Sequence, residues 1–272
     1  MNEKIDYNSQ SNFIRKLVQN PKNHSDFLID TNKIPKKIVQ FWDKLDKIPF
    51  DVKECIDTWA YIEDHGFERN IFDKQQAKDY IFNNLGVKYL QAFEKCYHPA
   101  MQSDYFRLCY IFIEGGCYID ADDVFSGKQI GNLFTDCRLK IQPLCYDTAT
   151  HMMVSPHIFT KRNAYSPTWI FYFNNNPLIA CSRHPVIEKA LTKSTYLLGQ
   201  NNINSFPEIQ STTGPGVLTT SIYEIISEQE EMKYSIQILN DWEDFAKSNW
   251  ELEYRKDSRN WRNSNCKFFK EH

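Results

Sequence analysis

Between Ala100 and Phe125 the chain reads AMQSDYFRLCYIFIEGGCYIDADDVF, and two periodicities meet inside it. Up to Ile113 the residues Tyr105, Leu108, Cys109, Phe112 and Ile113 recur at spacings of three and four, the signature of a helix that buries one face. Gly115 and Gly116 end that helix, because glycine adopts positive φ at a helix C-terminus without a Cβ penalty. Cys117–Tyr118–Ile119 then reads as a short buried strand, and Asp120, Asp122 and Asp123 follow at its end. Such a strand anchors carboxylates at the mouth of a sheet, where like charges repel unless a cation or water screens them. Hard oxygen ligands at Asp120-x-Asp122 spacing suit Mg²⁺ or Mn²⁺, ions that keep positions open for substrate phosphates. An isolated Asp-x-Asp is more often a solvated acidic turn, so its neighbours have to decide.

The 272 residues, 42% hydrophobic and 15% aromatic, are ample for a packed core. A net charge of −3 gives no reason to expect nucleic-acid binding, which needs a strongly basic face. Eight cysteines without a C-x-x-C pair predict neither a zinc site nor a disulfide framework, and most read as small buried hydrophobes in a reducing compartment. The N-terminus has no uninterrupted apolar segment, and no other run is long enough to span a bilayer, so the expected location is the cytoplasm.

Along the chain, residues 1–30 read as a polar, helical extension and residues 31–252 as one catalytic domain, followed by a basic and aromatic segment over 253–272. Ile34-Pro35-Lys36-Lys37-Ile38-Val39-Gln40-Phe41-Trp42 predicts a first buried strand after a proline. Helical spacing from Pro49 to Trp59 and an expected short strand at Phe67–Phe72 suggest a βαβ unit. Helices are expected over Lys74–Leu90 and on toward Tyr97, from about His184, and over Val217–Ser227; strands are expected at Leu139–Leu144, Trp169–Phe173 and Tyr234–Leu239. Asn174-Asn175-Asn176 by itself suits a turn, and Thr213-Gly214-Pro215-Gly216 suits a helix entry.

Ser103-Asp104, Arg107, Leu108, Gly115-Gly116, Tyr118, Asp120 and Asp122 together resemble the S-D-x-x-R…L…G-G-x-Y-x-D-x-D block of the DXD-containing sugar-nucleotide transferases. The likeness is to glycosyltransferase family 32 and the related bacterial toxin glucosyltransferases. It extends over about residues 33–227, through the I-P-K-x-I-x-Q-x-W opening, with Val39 where histidine is common, and through the Asn-Pro and T-G-P segments. The resemblance implies an α/β, GT-A fold: a Rossmann-like mixed sheet flanked by helices. It also implies a metal-dependent, retaining hexosyltransferase that uses a nucleotide-diphosphate sugar, UDP-sugar favoured over GDP-sugar, with a glycan or lipid-linked oligosaccharide acceptor in capsule or other surface polysaccharide synthesis.

Carried over residue by residue, Trp42 would stack on the base and Asp104 with Arg107 would face the sugar. Asp120 would contact ribose or sugar, Asp122 would hold Mn²⁺ or Mg²⁺, and Asn176, with Asn175 close behind, would offer an amide to the donor. Gly214 would sit in the T-G-P loop near the site. Family members often add a C-terminal histidine as a metal ligand, followed by a tryptophan; His272 is the counterpart, and the tryptophan is missing. The aromatics and cations of 253–272 also suit a peripheral contact with the inner face of a membrane or an anionic, lipid-linked substrate. Asp120-Ala121-Asp122-Asp123-Val124 fits, more weakly, the nucleophile motif of haloacid-dehalogenase-like phosphatases, and a non-catalytic carbohydrate-binding protein on a transferase fold is a further alternative.

Overall fold

Residues 6–20, 33–200, 206–267 and 269 are described by a computed structural model. The first helix, α1 (Tyr7–Gln19), is capped by the Asp6 carboxylate. The strands β1 (Lys37–Phe41) and β2 (Glu68–Phe72) pair in parallel across α2 (Phe50–Thr58), which completes the expected βαβ unit. Gly86 divides the next helical stretch into α3 (Lys74–Leu85) and α4 (Val87–Glu94), ahead of α5 (Pro99–Glu114). Past the glycines come β3 (Gly116–Tyr118), β4 (Asp123–Phe125), β5 (Leu139–Asp147), β6 (Met152–Met153), the short α6 (Pro156–Phe159) and β7 (Trp169–Ala180). The remainder holds α7 (Pro185–Gln200), α8 (Ile209–Thr212), α9 (Pro215–Glu228), β8 (Ile236–Ile238), β9 (Ala246–Ser248) and α10 (Trp261–Ser264).

The main sheet is mixed, in the order β2-β1-β3-β7-β5-β6, with β8 pairing β5. β1 lies parallel to β2 and β3, whereas β7 runs antiparallel to both β3 and β5. Side chains alternate between two apolar layers, as the period of two in a strand requires. Val39, Tyr118, Leu178 and Ala180 join a core with α1, α5, α7 and α9. Ile38, Cys117, Ile119 and Ile179 join the opposite layer with Trp59, Trp242 and Phe245. A strand buried on both faces reads as a continuous apolar run, which is why Cys117–Ile119 is apolar throughout.

The two glycines are required by both backbone and space. Gly115 has φ 69° and Gly116 has φ 102°, and a Cβ on Gly116 would lie 2.7 Å from the Lys37 carbonyl oxygen of β1. The close approach lets β3 enter the sheet beside β1 directly after α5, with the aspartates at its far end.

Three features depart from the sequence reading. The Asn cluster is no turn: β7 runs through it, and the pairing with β5 shifts so that the stretch between Phe173 and Leu178 faces only the gap between Pro143 and Ile141. Asn174, Asn175, Asn176 and Pro177 form that bulge, where the missing N–H of proline costs no ladder bond. A two-stranded sheet of β4 and β9 had no counterpart in the patterns. Cys137 and Cys181, 44 residues apart, form a disulfide with Cα atoms 5.0 Å apart. No spacing rule reveals it; the pairing of Lys140 with Ile179 brings the two cysteines together. Cys55, Cys96, Cys109, Cys117 and Cys145 are buried free thiols, and Cys266 is exposed. Among the described residues no helix is long and apolar enough to cross a membrane.

Candidate active site

The apolar face of α5 points into the core, and the residues one helical turn apart beside it, Asp104 and Arg107, are buried too. A buried charge has to be paired, and the pairing is extensive. The Arg107 guanidinium lies 3.0 Å from Asp104 and 2.9 Å from Asp120, donates to the Asn175 carbonyl at 2.9 Å and to the Ser103 hydroxyl at 2.9 Å, and lies 4.2 Å from the centroid of the Tyr118 ring. The Asn175 amide donates to the other acid, Asp104, at 2.7 Å. Helix α5, the end of β3 and the β7 bulge are thereby fastened at one point.

The bulge also holds the far side of the acidic turn. The Asp120 backbone N–H donates to Asn176 Oδ1 at 3.1 Å, and Asn176 Nδ2 donates to Asp123 at 2.8 Å. Asp123 further accepts from the Ser248 hydroxyl of β9 at 2.6 Å, and its carbonyl accepts from the Trp59 indole at 2.9 Å. Asp123, unassigned by the sequence, is therefore a buried brace at the floor of the acidic turn. Burial, reinforced by the charges of Asp122 and Asp120, raises its carboxyl to about 7. Burial likewise raises Asp120 to about 6, against the pull of Arg107 and with the push of Asp122. Asp120 keeps a third of its side-chain exposure, at 33%, so solvent softens that shift. Burial raises Asp104 as well, opposed by Arg107 and by the Asn175 hydrogen bond.

Asp122 is served by the C-terminal segment, which pattern reasoning treated as a separate basic tail. Its backbone carbonyl accepts from the Asn249 N–H at 2.9 Å, its carboxylate accepts from the Tyr254 hydroxyl at 2.6 Å, and Arg255 forms an ion pair with the same oxygen. The Arg255 guanidinium lies 4.2 Å from the centroid of Trp250. Tyr254, Arg255, Asn175 and Ser248 are the site residues that sequence reasoning missed or ranked second; nothing in their local sequence marks them, because the partners lie up to 133 residues away.

These groups face a cleft of about 650 Å³ lined by Trp42, Asp104, Arg107, Asp120, Asp122 and Asn176, with Trp250, Arg255, Trp261 and Arg262 along one wall. Trp42 stands edge-on to Tyr254, with ring centroids 5.3 Å apart. Gly214 does not line the cleft but abuts Asp104, where a Cβ would come 3.1 Å from the carboxylate. The structure thus gathers Trp42, Asp104, Arg107, Asp120, Asp122 and Asn176 around one space, with Gly214 beneath it. His272 lies outside the described residues.

A buried acid–arginine network on a helix, a Gly-Gly step and an Asp-x-Asp turn at the end of a strand now stand at one cleft. Residues 28–136 match the family described as "glycosyltransferase sugar-binding region containing DXD motif", and Asp104, Arg107, Asp120 and Asp122 all fall inside the match. Residues 28–136 are thus similar to the sugar-binding region of DXD-containing glycosyltransferases. An uncharacterized glycosyltransferase of Acanthamoeba polyphaga mimivirus is 29% identical over 114 residues, 39% of this chain and 45% of that protein's length. The chain thus spans about half the length of that relative. A solved structure of PaToxG glycosyltransferase superposes with a TM-score of 0.47 at 17% identity, covering 94% of this chain and 92% of its own. The DXD region supplies α2 to α5, β1 to β4 and the acidic turn; the β7 bulge and the C-terminal wall of the cleft lie beyond it.

Proposed function

We propose that this chain transfers a hexose-type sugar from a nucleotide-diphosphate sugar, a UDP-sugar in preference to a GDP-sugar, to a hydroxyl of a glycan or lipid-linked oligosaccharide, with retention of anomeric configuration. The observation that carries this reading is the buried network of Asp104, Arg107 and Asp120, held by Asn175 and Asn176 and open to a cleft with an aromatic rim. Asp104 can accept from sugar hydroxyls. Arg107, with its guanidinium locked between two carboxylates, orients both and offers positive charge toward donor oxygens. The Asn176 side chain sets the position of the Asp120 backbone, and Trp42 provides a flat face for a base.

Mn²⁺ or Mg²⁺ suits the donor set. Asp120 and Asp122 offer hard oxygens, and burial raises the Asp120 carboxyl, against the pull of Arg107 and with the push of Asp122. Two protein carboxylates suit such ions, which keep several positions for water and substrate phosphates. When bound, the ion would supply Lewis-acid stabilisation of charge on the departing diphosphate. The protein's own part is to bind the donor, exclude water and direct the acceptor hydroxyl to the front face of the sugar, where the leaving phosphate oxygen takes its proton. A role in surface polysaccharide synthesis at the inner face of the membrane accords with this chemistry.

Nucleotide release from UDP- and GDP-sugars with Mn²⁺ tests the reading. Asp122→Asn should lower kcat by roughly 10²–10³, the usual cost of losing one such electrostatic contact. Release that is unaffected by the substitution, or a product with inverted anomeric configuration by NMR, would refute it.

A further inference from the structure

Two arginines hold the two acids of the DXD turn, and they are held very differently themselves. Arg107 grows from the middle of α5, and its side-chain nitrogens are bonded to Ser103, Asn175, Asp104 and Asp120. Such a cation is fixed in place: removing any partner strands a buried charge. Arg255 grows from a short helical turn, Glu253–Lys256, in the C-terminal segment. It pairs with Asp122 alone among the described carboxylates, and its Nε is buried without a hydrogen-bond partner. An unmet buried donor makes the seat on Asp122 costly for Arg255 itself.

Its surroundings give it somewhere to go. The guanidinium rests over Trp250, 4.2 Å from the ring centroid and 5.5 Å from that of Tyr254, on the wall of the cleft that faces Asp104 and Asp120. Arg262 also lies over Trp250, at 4.9 Å, so two cations share one aromatic plate beside Asp122. A cleft arranged in this way gains when one guanidinium finds a second anion.

We propose that Arg255 is the exchangeable counter-cation of Asp122: a divalent ion and the guanidinium compete for the same carboxylate, and the displaced Arg255 turns into the cleft to meet an anionic ligand. The inference rests on the transferase reading for the identity of that ligand, and on geometry alone for the exchange. Ion and anion then bind cooperatively, since each removes what opposes the other. In the free protein Arg255 keeps Asp122 neutralised, and divalent ions bind weakly.

Mn²⁺ binding to the nucleotide-free full chain, followed by the electron paramagnetic resonance of the free ion, tests the exchange. Arg255→Met should bind Mn²⁺ about tenfold more tightly than the wild type, with Arg255→Lys between them, in the range of ordinary site-to-site coupling. Asp122→Asn and the double substitution should show no gain. A folded Arg255→Met protein that binds Mn²⁺ no better than wild type overturns the proposal; should that variant fail to fold, an Arg255→Lys protein with wild-type affinity does so. Mn²⁺ should also change tryptophan emission in the wild type and not in Trp250→Phe; an unchanged wild-type emission at Mn²⁺ saturation means the guanidinium has not left the indole, and sinks the idea. Nucleotide release is assayed in parallel. Its absence with the exchange intact removes the transferase reading and spares Arg255, whereas release with no gain in Arg255→Met does the reverse.

Discussion

Asp123 shows how one side chain can matter through the neighbours it braces. It is buried, braced by Asn176 and Ser248, and its carboxyl is raised to about 7 by burial and by the charges of Asp122 and Asp120. The folded protein therefore holds this proton more tightly than the unfolded chain, whose carboxyl titrates near 3.8. The stability this provides is fully present below the unfolded value and is lost as pH rises toward about 7. Asp123→Asn, which keeps the shape and removes the charge, should gain in Tm relative to wild type between pH 5 and pH 8. Taking the difference between the two proteins cancels titrations remote from the acidic turn, such as that of His184, lowered to about 4 by burial. A difference in Tm that stays flat across that range would mean that Asp123 is already ionised in the folded protein at pH 5 and that burial does not raise its carboxyl.

At the scale of elements, the site depends on where α5 and β3 meet. Gly115 and Gly116 let a helix that buries Asp104 and Arg107 feed a three-residue strand that ends in the acids. Gly116→Ala should cost about 1–2 kcal/mol from the left-handed backbone alone. The added methyl also meets the Lys37 carbonyl oxygen at 2.7 Å, so the loss should exceed that figure and should separate β3 from β1. A urea unfolding midpoint equal to that of the wild type would show that the contact relaxes freely. The β7 bulge is the second such element, since it turns two successive asparagines toward two different acids, Asp104 and Asp123.

At the scale of the whole molecule, the cleft has walls from three distant parts of the chain: the DXD region, the β7 bulge and the segment from Ser248 to Arg262. The Cys137–Cys181 disulfide ties β5 to the end of β7 below it. For a loop of this length the chain-entropy model assigns about 4 kcal/mol to the crosslink. Cys137→Ser with Cys181→Ser should accordingly lower the unfolding midpoint under oxidising conditions and leave it unchanged in reductant. Native thiol labelling should modify Cys266 first and leave the five buried thiols unreacted. Rapid labelling of Cys137 in the absence of reductant would show that the bond is not formed.

The chain by itself determined what is local or periodic. The helix ahead of the glycines, the βαβ opening, the α7 and α9 helices and the mixed α/β class all follow from spacing, turn chemistry and the DXD block, because each is encoded within a dozen neighbouring residues. The acids and Arg107 were legible for the same reason. What only the tertiary structure decided is which of these groups are bound to one another. The asparagines read as a turn until β5 pairs across them, and the Cys137–Cys181 bond exists only through strand order. Tyr254 and Arg255 reach Asp122 from 132 and 133 residues away. Contacts of that range carry no local signature, since burial and the pairing of opposite charges select them only once the sheet has brought their elements together.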